Sequence, residues 1–409
     1  MNSKDPIGII ELGNLNIRCV IFGINNNNVE ILSTSITPSE GIHNDVVVNL
    51  TKASKAIRSC ISKAEEKAKI LLKKINVVFE QPDFLCTKFS KNKKINGSKI
   101  HKGDIEFLLK EAKKQLVLND NKQSIIHIFN YNYIVDGKTF VEEPIGVYAD
   151  SLTHEITFIS TPKNNLKNIN QVFIDCDIEI ARLISRTFAL GVKLLSHKEL
   201  EFGSAILDLG FEKISFGLFK SLALVHSITF PIGINHITKD ISKVCSLNLD
   251  ESENIRNNID FSYQNSQKLF DENNYLKNIY FINSSFRKIS KNLILSVVKA
   301  RLDEIFDTLK KQLIVPGFNL TSEINLLLAG GGSNLFNIEK CFINFFGPNV
   351  KRVDKNSVEK DKDLEKNLAS CLGALEIIKD GWETEAIPET VGKNIEKTSF
   401  FAKIFKINK

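Results

Sequence analysis

No stretch of this sequence holds the roughly 20 consecutive apolar residues that a helix needs to cross a bilayer. The residues before the first apolar run, Met1-Asn2-Ser3-Lys4-Asp5-Pro6, form no signal-like core. The expectation is a cytoplasmic chain. Paired cysteines are also missing: the seven stand at 19, 60, 86, 176, 245, 341 and 371, with no Cys-x-x-Cys among them. That spacing argues against a zinc ribbon or a disulfide framework and leaves small, buried core residues. The histidines, His43, His127 and His236 among them, show no metal-ligand spacing, so no metal site is expected from them. A basic stripe is absent too. The net charge is +6, with lysines mixed among Asp and Glu nearly everywhere. A nucleic-acid binder concentrates its charge on one face, so nucleic acid is not an expected partner.

The chain of 409 residues is too long for one hydrophobic core of usual size, which implies several sub-domains. Residues 7–13 read as a strand entering a tight turn, followed by strands at 16–23 and 29–37, a hairpin-like start. Residues 51–72 carry Ala53, Ala56, Ile57, Cys60, Ile61, Ala64 and Ala68 at helical spacing. A short strand follows at 77–79. Residues 84–172 read as a separate small α+β unit, with strands near 84–89, 124–135 and 155–160 and helices at 104–116 and 166–172. A strand at 177–180 and a long helix to about 195 come next. Residues 250–310 read as mostly helical, with an exposed Asn-rich loop at 262–274. Residues 324–328 form a buried strand that runs into glycines, and a helix begins near 335.

One pattern occurs twice. An apolar strand, an acidic residue, Leu, Gly and a returning strand appear at Glu11-Leu12-Gly13 and again at Asp208-Leu209-Gly210, which reads as an internal duplication. A strand that ends this way suits phosphate binding: the glycine lets the backbone approach, turn amides point at phosphate oxygens, and the carboxylate can hold magnesium or polarise a water. A single such turn is more often an ordinary hairpin than a site. Two at matching places suggest two lobes around one nucleotide. The run Leu326-Leu327-Leu328-Ala329-Gly330-Gly331-Gly332-Ser333 adds a strand-to-helix surface that adenine or phosphate can approach closely.

The last residues form another pattern. Placed at about 100° per residue, Phe400, Phe401, Ile404, Phe405 and Ile407 fall within roughly 160°, with Lys403, Lys406 and Lys409 opposite. Residues 380–396 lack apolar periodicity and read as a linker, and 397–409 as an amphipathic helix that lies on a membrane surface. A terminal helix docked on the protein's own core is the plainer alternative.

As an ordered set, these motifs resemble the FtsA family, bacterial cell-division members of the actin-like ATPase superfamily. Glu11-Leu12-Gly13 is similar to the superfamily's first phosphate motif, Asp208-Leu209-Gly210 to the second and 328–332 to the adenosine motif. The segments 230–241 and 41–50 look like FtsA, as does an insertion after residue 83. The resemblance implies a duplicated, two-lobed α/β fold of the actin-like (ribonuclease H-like) type. Its first lobe would comprise 1–83 and 173–203, its inserted α+β sub-domain 84–172, its second lobe 204–241 and 312–379, and its helical sub-domain 242–311. It implies ATP with Mg²⁺ as cofactor. Gly13, Asn14, Asn16, Gly210, Lys213, Glu253, Arg256, Gly330, Gly331 and Gly332 would line the nucleotide, and Glu11 and Asp208 would position metal or water if ATP is hydrolysed. The implied partners are the FtsZ C-terminal peptide, gripped by Arg287, Lys291 and Arg301, and other division proteins, bound through the insert. An anionic membrane under 397–409 and further copies of the chain complete the set, at the cytoplasmic face of the inner membrane at the septum.

The chain departs from the family where phosphate is held. The first motif usually has Asp in place of Glu11, and hydroxyl residues and Lys in place of Asn14, Leu15 and Asn16. In the second motif Phe211, Glu212 and Lys213 stand where glycines and threonines belong. A bulky ring and a carboxylate there oppose a triphosphate, although Lys213 could offset the charge. The expectation is weak or no ATP binding and at most weak ATPase activity. A hydrolysing ATPase of the pilus-assembly or another actin-superfamily type is the rival reading.

Overall fold

The structure, a computed structural model, describes residues 4–25, 28–140, 142–263, 268–281, 287–312, 324–353 and 367–380. The linker beyond Asp380 and the amphipathic helix 397–409 lie outside them. The described residues form two compact units. One holds the chain up to Gly203 with Gly217–Thr229 and 367–380; the other holds Ser204–Phe216 and the described residues from Phe230 to 353.

The first unit opens with β1 (Lys4–Glu11), β2 (Asn16–Asn25) and β3 (Asn28–Pro38), an antiparallel meander. A two-strand ladder, β4 (Ile42–His43) with β5 (Val46–Val47), leads into α1 (Leu50–Ala68). The expected apolar stripe of α1 is the buried one, from Ala53 to Ala64. Ser33 and Ser35 of β3 donate to the carbonyls of Ala64 and Cys60 at 2.8 and 2.6 Å, which ties the sheet to that helix. The helix stops four residues short of the expected end because Lys69 turns left-handed (φ 57°), and the Leu72 amide then donates to the Glu65 carboxylate at 2.8 Å. Strand β6 (Lys74–Phe79) pairs parallel to β1.

The insert follows as β7 (Leu85–Lys99), α2 (Lys102–Asn119), β8 (Gln123–Val135), β9 (Lys138–Phe140) and β10 (Tyr148–Pro162). Its antiparallel sheet runs β7-β10-β8-β9. Ile105, Leu108, Leu109, Ala112 and Leu116 of α2 join Phe89, Ile156 and Phe158 of that sheet in one core. Strands β7 and β10 are 15 residues each, far longer than their apolar runs suggested, because each carries the other's ladder into polar sequence.

Helix α3 (Lys163–Asp175) returns the chain to β11 (Glu179–Ser185), which pairs parallel to β6. The long helix expected from 181 is corrected here. Residues 181–185 belong to the strand, and α4 (Arg186–Leu194) starts only where Ser185 accepts a bond from the Phe188 amide at 3.3 Å. An apolar run such as Leu183-Ile184 fits either period, and pairing with β6 decides. A short α5 (His197–Phe202) follows, and the first sheet has the order β11-β6-β1-β2-β3.

The chain then repeats itself with β12 (Ser204–Leu209), β13 (Ile214–Lys220) and β14 (Ala223–Phe230), followed by α6 (Asn235–Cys245), α7 (Leu249–Asn258) and α8 (Lys291–Gln312). Next come β15 (Asn325–Ala329), α9 (Ile338–Phe346), β16 (Val350–Arg352) and α10 (Ala369–Asp380). The second sheet has the order β14-β13-β12-β15-β16, with β12, β15 and β16 parallel. Strand for strand this is the order of the first sheet, so the duplication inferred from two short motifs extends through five strands in each half.

The described part of residues 250–310 is less helical than expected. Between α7 and α8 the described chain has a single 3₁₀ turn at Asn278–Tyr280, and Phe270 and Tyr275 bridge to Leu276 and Ser290. Leu269 and Phe270 are buried, so the described part of the Asn-rich loop is anchored rather than merely exposed.

Candidate nucleotide-binding turns

Glu11 ends β1 and is 1 % exposed. A carboxylate so buried needs partners, and it has them on both oxygens. Oε1 accepts from Arg18 of β2 at 3.2 Å and from Arg186 at the start of α4, and Oε2 accepts from the Ser370 hydroxyl of α10 at 2.6 Å. Asn14 donates to the Asn44 side chain at 3.0 Å and accepts from the Asn44 amide at 2.5 Å, so its polar atoms are turned to residues 42–47. A Cβ on Gly13 would lie 2.7 Å from the carbonyl oxygen of Asn16. The turn's own backbone therefore requires glycine there.

The second turn has the same backbone device. A Cβ on Gly210 would lie 2.5 Å from the carbonyl oxygen of Lys213, toward which the Gly210 amide donates at 2.9 Å. The turn is strapped to the next segment, where Ile234 N–H donates to Gly210 and Asn235 N–H to Phe211. Glu212 bonds to Asn235 at 2.7 Å and pairs with Lys239 at 2.9 Å. Burial acts to raise the Glu212 carboxyl, and the bonds from Lys239 and Asn235, with the Lys239 charge, outweigh it and hold it below its usual range. Lys239 is a cation on Glu212. Lys213 itself is buried.

The glycine run is needed mostly for packing. Gly330 has φ 80° and ψ 173°, and a Cβ there would meet Asp208 Oδ1 at 2.1 Å and the Leu209 carbonyl oxygen at 2.8 Å. On Gly332 it would meet Ile234 and Leu209 inside 3 Å, whereas on Gly331 nothing lies within 4 Å. Two of the three glycines thus serve contact between the end of β15 and the end of β12.

The remaining candidates lie apart from these turns in chemistry. Arg256 is 3 % exposed and bonds to Thr238, Glu253 and Asn257 at 2.7, 2.8 and 2.9 Å, so it joins α6 to α7. Arg301 is held by Asp240 through two bonds of 2.5 and 2.9 Å and by Glu304 at 2.7 Å. Lys291 lies 6.0 Å from the Phe270 ring centroid, and Arg287 donates to the Ser246 carbonyl at 3.4 Å. Lys291 and Arg301 are about 15 Å apart along α8 at helical rise. Phe400, Phe401, Lys403, Ile404, Phe405, Lys406 and Ile407 lie outside the described residues.

Family models described as "SHS2 domain inserted in FTSA" and "Cell division protein FtsA" match residues 85–160 and 205–373, together more than half of the chain. The chain belongs to the FtsA family. The first match falls inside the expected insert. A cell division protein FtsA of Buchnera aphidicola subsp. Acyrthosiphon pisum is 24% identical over 391 residues, 93% of this chain and 90% of that one. One from Agrobacterium fabrum is 20% identical over 360 residues, 84% of this chain and 80% of that one. Among solved structures, a PilM-PilN type IV pilus biogenesis complex aligns with a TM-score of 0.64 at 13% identity, over 90% of this chain and 98% of that one. At that identity it speaks for the fold alone, which is actin-like.

FtsA's fold implies a magnesium nucleotide, and the turns can be tested for it. Among the described residues no group of His, Cys, Asp or Glu side chains is arranged to hold a metal ion. Glu11 has both oxygens engaged by the chain itself, and Glu212 places a paired carboxylate in a phosphate-binding turn. These residues do not fit a magnesium triphosphate. Arg18, Arg186 and Ser370 were missed from sequence. Arg18 interrupts an apolar strand, and Arg186 puts a cation at the positive end of a helix, against the usual preference. Both are signals. Ser370 gives none.

Proposed function

We propose that this chain is a membrane adaptor of cell division. In this reading it tethers FtsZ filaments to the cytoplasmic face of the inner membrane at the septum and recruits later division proteins through the insert 84–172. It self-associates into filaments and works by binding rather than catalysis. The family match at 85–160 carries the reading, because it identifies the insert as the FtsA type.

The C-terminal segment supplies the membrane contact. Each of Lys403, Lys406 and Lys409 contributes about 1 kcal/mol near an anionic leaflet. Phe400, Phe401, Ile404, Phe405 and Ile407 add roughly 1.5–3 kcal/mol each if fully buried, while ordering about ten residues costs on the order of 10 kcal/mol. A single tail binds reversibly, and several tails on one polymer bind by avidity. Arg287 and Lys291 supply positive charge for an acidic FtsZ peptide, and Arg301 would join them by exchanging Asp240 for that peptide.

Co-sedimentation with anionic liposomes tests the adaptor. The intact chain should pellet with vesicles, and a chain ending at Glu396 should stay in the supernatant. Equal pelleting of the two would remove the anchor from the proposal.

A further inference from the structure

We infer that the Glu11 cluster is an internal replacement for a metal-bound nucleotide, so that the first half of this FtsA-family chain holds its phosphate-type turn shut without ATP or Mg²⁺. In an ATPase of this fold, a carboxylate at the end of the first strand would be satisfied through a divalent cation and its water shell. Here two guanidiniums and a hydroxyl occupy the carboxylate instead.

Their origin matters. Glu11 comes from β1, Arg18 from β2, Arg186 from α4 and Ser370 from α10, all within the first unit. The cluster therefore joins the two strands of the hairpin to the helices that pack on that sheet. A bound nucleotide would be expected to order the same parts. A guanidinium stays charged at any physiological pH, so the cage is permanent, and a carboxylate 1 % exposed has little reason to exchange it for a hydrated ion. Asn14 strengthens the case, since its side chain is spent on Asn44.

The cage predicts indifference to ligand. A ligand present at about 100 times its Kd stabilises a protein of this size enough to raise Tm by roughly 3 °C. Melting of the intact chain should be measured alone, with Mg²⁺, with ATP and EDTA, and with Mg²⁺ and ATP, each at about 1 mM. The expected shift in every arm is under about 1 °C. A shift of several degrees with Mg²⁺-ATP would overturn the proposal, and so would one with ATP in EDTA, which would make the arginines an anion site.

The double variant Arg18→Ala/Arg186→Ala, where it folds, should melt several degrees lower and recover part of that loss in Mg²⁺, to which the wild type does not respond. A double variant that melts like the wild type would also overturn the cage. If it does not fold, the four-arm melt of the intact chain decides alone. Resting on the adaptor reading, liposome pelleting of the intact chain should be equal in EDTA and in Mg²⁺-ATP. Pelleting that needs Mg²⁺-ATP defeats the cage and leaves the adaptor standing, whereas pelleting that ignores the loss of 397–409 defeats the adaptor and leaves the cage standing.

Discussion

In the first half of the duplication the strand-end carboxylate is Glu11, held by Arg18, Arg186 and Ser370; in the second it is Asp208, packed against Gly330. The backbone device between them is shared. Gly13 and Gly210 each face the carbonyl oxygen three residues on, at 2.7 and 2.5 Å from where a Cβ would sit. At the first turn the carboxylate is held by two guanidiniums and a hydroxyl, and at the second Gly330 and Gly332 pack closely against Asp208 and Leu209 and Gly233 against Phe211 and Lys213. One turn copied twice is thus surrounded differently in the two halves, and the two should respond differently to substitution.

The largest effect is expected at Glu11. Glu11→Ala leaves two partly buried guanidiniums without their anion, and breaking a buried pair from one side costs about 3–5 kcal/mol. Chemical denaturation of the variant should show that loss, and a loss below about 1 kcal/mol would mean that the pair contributes no more than a surface one. The second turn should be most sensitive at Gly330. Gly330→Ala forces a side chain into φ 80° and against Asp208, a cost of about 3 kcal/mol from strain and overpacking together. Gly331→Ala, one residue away with open space around it, should stay within about 0.5 kcal/mol. Equal effects at 330 and 331 would remove packing as the reason for the glycine run.

The duplication was legible because its signal is local: an apolar strand, an acid, Leu and Gly fit in a few residues, twice. The apolar face of α1 was legible for the same reason. The meaning of the glycines was not. Excluding a Cβ for a phosphate and excluding it for the chain's own carbonyl leave the same letter in the sequence, and at Gly13, Gly210, Gly330 and Gly332 the chain's own backbone and packing already exclude one. The Glu11 cage was beyond local pattern, since its members stand at 11, 18, 186 and 370. Strand β11 was misread because Ile180 to Ile184 fits strand or helix until β6 is beside it.

Acid should separate the two units further. His127 and His154, both in the first unit, are fully buried, and burial pushes each imidazole down to about 3. Against an ordinary value of about 6.5, the unfolded chain binds protons that the folded chain refuses between those two limits. Stability in the first unit is therefore complete above about 6.5 and falls as pH drops below it, by about 1.4 kcal/mol per histidine at pH 5.5. In the second unit Glu212 has its carboxyl held low, so its contribution is present above the usual Glu value of about 4.3 and is lost only below that. Hydrogen exchange at pH 7.5 and 5.5 should show loosening confined to the first unit. His226 of the same unit is also pushed down by burial, to about 4, so His154→Phe, which keeps the ring stacked on Tyr133, should remove about a third of the slope.

The smallest effect is expected at Glu212, and its smallness is informative. Its partner Lys239 is about half exposed, and a pair of that kind contributes about 0–1 kcal/mol. Glu212→Gln keeps the side chain's shape and its bond to Asn235 while removing the charge, so the melting temperature should move by no more than about 2 °C. Salt should matter little beyond that, because one screened pair is all that is lost. A loss at Glu212 as large as at Glu11 would show that the second turn is also an ionic latch, and the contrast between the two halves would collapse. A neutral result would mean that the carboxylate in the second phosphate-type turn adds nothing to the fold. The residue would then be tolerated there because no phosphate has to enter.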